Sequence, residues 1–204
     1  MGVSARTSQS HIDGSVVLST GSLQHRSMGK SHLMIGGTMT GTASGVLYVH
    51  SSPRALCPHV EWAAGRAMSR AVNFSWLDQP AQDGSRRTEY TWTGAVGTGA
   101  AIASALRGWE HLRYEVTEEP TAASDGGRWM HTPDLGVFYA QTDVTGNMVI
   151  PEDRVRYAME VAGSNALELH RELRLALGQA WDDELEPFRH AAEGNPVVWL
   201  HRVG

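Results

Sequence analysis

GVLYVHSSPRALCPHVEW, residues 45–62, governs how the rest of the chain is read. An apolar run, Val46 to Val49, ends at Ser51-Ser52-Pro53 and passes into a helical pattern from Arg54 to Met68. A short β-branched and aromatic run bounded by Ser and Pro reads as a strand. Ser52 is then positioned to cap the helix and Pro53 to take its first position, where a missing N–H costs no hydrogen bond. Pro58 falls one turn further on, so the first turn is expected to be a separate piece or a kink. The same stretch carries the only cysteine, two histidines and a carboxylate.

Downstream, Val72, Phe74 and Trp76 alternate with polar residues, as do Thr88, Tyr90 and Trp92, and then Leu112, Tyr114 and Val116. Each set reads as a half-buried strand. Between the last two lies an Ala-rich helix, Thr98 to Arg107, entered through Gly94, Gly97 and Gly99. Strand–helix–strand–strand–helix–strand describes an α+β protein: a ferredoxin-like split βαβ sandwich (βαββαβ) with both helices on one face of an antiparallel sheet. The outward positions Arg87, Glu89, Arg113 and Glu115 alternate in sign. After Asp125 the pattern gives a hairpin, Arg128–His131 with Gly136–Thr142, and a short strand at Met148–Ile150. Helices over Glu152–Ala162, Asn165–Leu177 and Asp182–Ala192 follow, with Gly163, Gly178 and Gly194 where C-caps belong. Val197–Leu200 reads as a last strand. This C-terminal hairpin and helical extension is expected to pack on the open face of the sandwich, making residues 45–204 one domain. Residues 1–44 show neither period and read as a disordered tail, with Met39 as an alternative start.

Composition excludes several mechanisms. Lys30 is the only lysine, so the segment from Gly45 onward has no phosphate-loop lysine, no Schiff-base lysine and no lysine general base. One cysteine forbids an internal disulfide, a four-cysteine zinc site or an iron–sulfur cluster, and fits a reducing cytoplasm. Residues 1–44 hold three cations and one anion, whereas residues 45–204 hold fourteen and twenty-one. An acidic body with sign-alternating strands argues against nucleic acid and anionic membranes as partners. No apolar run approaches the roughly 18 residues of a membrane helix, and no signal-peptide pattern opens the chain.

Four groups of residues are candidates for chemistry. His50, Cys57, His59 and Glu61 form the densest cluster. Cys57 near a helix N-terminus would feel the positive end of the helix dipole, which favours a thiolate, with His59 as its base. Residues two apart on a helix nevertheless point about 200° apart, so the pair needs the distortion at Pro58, and the spacing suits no usual zinc motif. A buried cysteine beside capping groups is the plainer reading. Ser51, Ser52 and Arg54 at the strand-to-helix turn offer two hydroxyls and a guanidinium to a phosphate or carboxylate, or simply cap the helix. Gly94-x-x-Gly97-x-Gly99 departs from the dinucleotide fingerprint and suits a tight turn. Asp182, Asp183, Glu184 and Glu186, and the adjacent Glu118 and Glu119, suit a helix start and a strand better than a metal or an acid–base pair. No metal or cofactor is assigned. Trp76 and Trp92 are expected in the core; two other tryptophans exposed together would mark a partner surface.

The segments Gly45–His50, Ala55–Trp62 and Ser104–Trp109 resemble an actinobacterial family known only as a domain of unknown function, number three-one-four-five. Val116–Thr121, Ile150–Arg154 and Trp181–Arg189 carry the same resemblance, which runs from about Met39 to the C-terminus. It implies no activity and no catalytic residues. It implies that the tail before Met39 is foreign to the family and that type II fatty-acid synthesis is a plausible setting. The leading expectation is a non-catalytic cytoplasmic binding or accessory protein whose partner is a protein or a small acidic metabolite. An enzyme using Cys57 and His59, and a metabolite-sensing module reading its ligand at Ser51–Arg54, are the alternatives.

Overall fold

Strand β1, Thr42–Pro53, lies in the middle of the sheet in the computed structural model, which describes residues 41–193. It is followed by a 3-10 turn, Arg54–Leu56, and helix α1, Cys57–Ala67. Then come β2 (Leu77–Asp78), β3 (Ser85–Ala95), α2 (Thr98–Leu106) and β4 (Arg113–Glu118). The second half adds β5 (Gly126–Thr132), β6 (Gly136–Thr142), β7 (Met148–Val149), α3 (Glu152–Ala162), α4 (Ala166–Ala176) and α5 (Gln179–Glu193). The strands form one sheet in the order β2-β3-β1-β4-β5-β6-β7, with every neighbouring pair antiparallel. No helix among the described residues is long and apolar enough to cross a membrane.

The expected order of elements holds as far as Glu118, but the four-stranded ferredoxin-like sandwich is too small a description. The hairpin after Asp125 adds β5 to the open edge of β4 instead of packing across the sheet, and β6 and β7 extend it further. An edge strand presents a row of unpaired N–H and C=O groups, and pairing satisfies them. The strand expected at Val72–Trp76 is a second correction. Its side chains alternate in burial, yet the ladder begins only at Leu77. Its polar groups go elsewhere: Glu61 Oε1 accepts from the Phe74 N–H at 3.0 Å and from Trp76 Nε1 at 2.8 Å. The boundary at residue 44 also moves, because Thr42, Ala43 and Ser44 pair with Ala95, Gly94 and Thr93. The rest of the expected tail, Gly194 and the expected strand Val197–Leu200 lie outside the described residues.

One face of the sheet carries α1 and α2. Its core joins Leu47, Val49, Trp92, Tyr114 and Val116 from the strands to Val60, Ile102 and Leu106 from the helices. Full burial of such side chains is worth roughly 1.5–3 kcal/mol each. A Cβ at Gly45 would meet the Thr117 carbonyl at 1.9 Å and the Trp92 ring at 2.6 Å, so glycine is what allows Trp92 to pack against β1. The opposite face is covered over β1 and β5 by α5, as expected of some element after Asp125. There Leu185 and Met130 are fully buried, the Phe138 and Trp181 rings lie 5.0 Å apart, and Trp181 Nε1 donates to the Gly136 carbonyl. Helix α3 packs on α4 and α4 on α5.

Candidate functional site

The residues singled out around β1 point to different places. Between Val49 and Ser52 the register of β1 shifts against both neighbours, a bulge that redirects side chains and carbonyls. The His50 carbonyl leaves the ladder and accepts from Gln79 Nε2 at 2.6 Å. The His50 ring lies 2.7 Å from Glu115 Oε1, away from Cys57. Glu115, expected to face solvent, is 6% exposed because α5 lies over it. Arg189 of α5 donates to its Oε1 at 2.7 Å, and Arg128 of β5 to its Oε2 at 2.7 Å. Asp182 Oδ1 accepts from both guanidiniums at 3.0 Å. Burial alone would push the Glu115 carboxyl up, but the His50 hydrogen bond and the charges of His50, Arg128 and Arg189 hold it well below the usual carboxylate range. The cluster is a charge-compensated seam that fixes α5 on the sheet. Asp182 therefore has two guanidinium partners, and Glu184 a third in Arg113 at 3.4 Å.

Cys57 is 7% exposed, with Sγ 3.8 Å from the Pro53 carbonyl. Burial pushes its thiol up, outweighing the Ser52 hydroxyl and the Arg86 charge. The thiolate expected from the helix dipole is thus disfavoured in the folded chain. His59 points to the surface beside Trp109, their rings 6.0 Å apart. Glu61, as described, braces residues 74–76. His50, Cys57, His59 and Glu61 are therefore not brought together. Ser51 and Ser52 are fully buried in β1 rather than at a helix cap; Ser51 donates to Gln82 Oε1 at 2.6 Å and Ser52 to the Pro53 carbonyl. Arg54 is exposed in the 3-10 turn, and α1 starts three residues later, at Cys57, with Pro58 in its first turn. The break expected at Pro58 is real, and the Ser52 cap is not formed.

The glycine turn before α2 is filled from within. Glu118 Oε1 accepts from the Gly97 N–H and Oε2 from the Gly99 N–H, each at 2.7 Å. A carboxylate on a helix N-terminus satisfies donors that would otherwise be orphaned. Gly97, at φ 90°, and Gly99, where a Cβ would lie 2.9 Å from Trp129, make room for it. Glu119 is exposed, on the other side of β4.

A cleft of about 620 Å³ opens elsewhere, between the outer side of α1 and the loop that follows it. Pro58, Glu61, Trp62, Gly65 and Arg66 line it from the helix, and Ser69 to Val72 from the loop. The loop is pressed onto the helix by a Schellman-type end: the Arg70 N–H donates to the Gly65 carbonyl at 3.0 Å and the Ser69 N–H to Arg66 at 3.1 Å. A Cβ at Gly65 would lie 2.7 Å from the Arg70 carbonyl, so glycine permits this approach. Ser69 takes the left-handed position with φ 54°, the sole non-glycine residue to do so among the described residues. Trp62 is 62% exposed. The Arg66 guanidinium lies over its ring at 5.0 Å, and that of Arg70 lies over Tyr90 at 5.9 Å. Neither arginine pairs with a carboxylate among the described residues. The Tyr90 ring lies tilted against that of Phe74, centroids 4.9 Å apart, and Glu61 holds the Phe74 N–H, so the aromatic under Arg70 is tied back to α1. Sequence reasoning had Trp62 unplaced and Arg66 and Arg70 unremarked. Their spacing of four each, from Trp62 to Arg66 to Arg70, was the available signal.

Among the described residues, no group of three His, Cys, Asp or Glu side chains is arranged to hold a metal ion. The family described as "Protein of unknown function (DUF3145)" matches residues 46–202. No curated protein and no solved structure matches the chain.

Proposed function

The chain belongs to the DUF3145 family, whose description assigns no activity, and from its own geometry we propose that it is a non-catalytic binding protein that seats a partner in the α1 cleft. The observation that carries this is the pairing of an exposed tryptophan with two carboxylate-free arginines around a braced concave surface. Trp and Arg dominate binding hot spots because each combines a large apolar area with directional donors. The bracing matters as much: Glu61, the Ser69 turn and Gly65 hold the cleft open without a ligand, so little ordering entropy opposes binding. The reading extends to a cytoplasmic accessory role, which a single, buried, unpaired cysteine supports. It also takes in a setting in type II fatty-acid synthesis, which the family resemblance supports. The order β2-β3-β1-β4 supports regarding the first six elements as a ferredoxin-like core extended at one edge, though such a core serves many functions.

Affinity capture with the wild-type chain and with Trp62→Ala tests the proposal. A partner retained by the first and lost by the second, at unchanged melting temperature, is expected. Identical captured sets would contradict it. Recovery of no protein connected with fatty-acid synthesis would remove that setting while leaving the cleft.

A further inference from the structure

Resting on the reading of the α1 cleft as the binding site, we infer that its ligand is an acidic segment of another protein, with an apolar anchor on Trp62 and carboxylates held by Arg66 and Arg70. The charge argument comes first. Residues 45–204 carry a formal excess of seven negative charges, yet this cleft exposes two guanidiniums without carboxylate partners among the described residues. Glu61 also lines it, but its Oε1 is occupied by the Phe74 and Trp76 donors. Two such guanidiniums lining one cleft give an acidic segment a paired local attraction on an otherwise acidic body.

Geometry then distinguishes a side-chain carboxylate from a small free anion. A guanidinium lying over an aromatic ring has its face covered and its edge N–H groups free, the arrangement that grips a carboxylate with two parallel hydrogen bonds. A free phosphate gains most from backbone N–H groups at a helix N-terminus. The cleft runs along α1 from Pro58, which has no N–H to offer, to the C-terminal end, where the dipole is negative and the Ser69 and Arg70 N–H groups are already bonded. An exposed indole sharing one cleft with two such forks suits an apolar side chain accompanied by acids, a combination a short protein segment supplies.

The test selects random displayed peptides on the full chain and measures synthetic copies by tryptophan fluorescence. Selected sequences are expected to carry Asp or Glu together with Leu, Phe or Trp. Arg66→Glu with Arg70→Glu, both surface changes, should weaken binding by about tenfold or more, as should replacing the acids by amides. A peptide with Lys in place of the acids should bind the doubly reversed chain better than the wild type, an outcome unfolding cannot produce. Neutral or basic selected sequences, no enrichment, unchanged binding to the reversed chain, or inorganic phosphate bound where the peptides are not, would each overturn the inference. Loss on Trp62→Ala with no effect of charge reversal would retain the cleft and discard its acidic ligand. No effect of either would discard both.

Discussion

Ser69 and Gly178 are opposite solutions to the same backbone demand. Both hold positive φ, 54° and 73°. At Gly178 a Cβ would also meet the Phe138 ring at 2.6 Å, so Gly178→Ala should destabilise the chain by roughly 2–3 kcal/mol. Ser69 sits where glycine would be easier, and Ser69→Gly should raise stability by about 0.5–1 kcal/mol in urea unfolding if the strain is retained for the cleft. Unchanged stability would mean no strain is stored there. At Cys57, iodoacetamide should label slowly at neutral pH and quickly only after unfolding; fast labelling of the folded chain would restore a reactive thiol. Gly178 was legible as a C-cap because the rule is local. Glu115 was legible only by half. Period-two alternation put it on the face away from the core, but its burial depends on Arg189, 74 residues away, and no local pattern announces that.

Helix α5 depends on a charged seam, and its behaviour in acid follows from the sign of two shifts. The Glu115 carboxyl is held well below its ordinary value of 4.5, so its stabilisation is complete above that value and is lost as pH falls below it. Burial pushes the His131 imidazole down from 6.5, despite the Nδ1–H bond to the Leu112 carbonyl at 2.9 Å. The unfolded chain therefore takes up that proton first, and stability begins to fall as pH drops below about 6.5. Urea midpoints should thus decline in two stages on acidification, and His131→Gln should flatten the upper one. Glu115→Gln should cost roughly 3 kcal/mol at neutral pH, because it removes the most buried carboxylate from between two half-buried guanidiniums that share Asp182, and it should abolish the lower stage. A loss below about 1 kcal/mol, or an unaltered acid slope, would show that the seam does not hold α5. The helices themselves were readable from apolar periods and Gly ends. The second strand was not, because its alternation was genuine while its hydrogen bonds were diverted to Glu61, whose role no spacing rule reveals.

Over the chain as a whole, a sheet expected to have four strands has seven, because a hairpin can satisfy an open edge as readily as it can cover a face. Hydrophobic alternation is the same in either placement, so the sequence could not separate them. The added strands and α3–α5 expose apolar residues of their own, notably Val137 at 41% and Leu167 at 83%. They do not combine an exposed tryptophan with two carboxylate-free arginines around one cleft, and binding is assigned to the α1 cleft for that reason. Binding of an acidic partner there should weaken steeply as salt rises. A photo-crosslinking residue placed in turn at positions 62, 137 and 167 of the full chain, in the cells that make it, compares these surfaces side by side. A single crosslinked partner from position 62, competed by untagged wild-type protein and missing from the other two, is the predicted result. Crosslinks from 137 or 167 with none from 62 would contradict it.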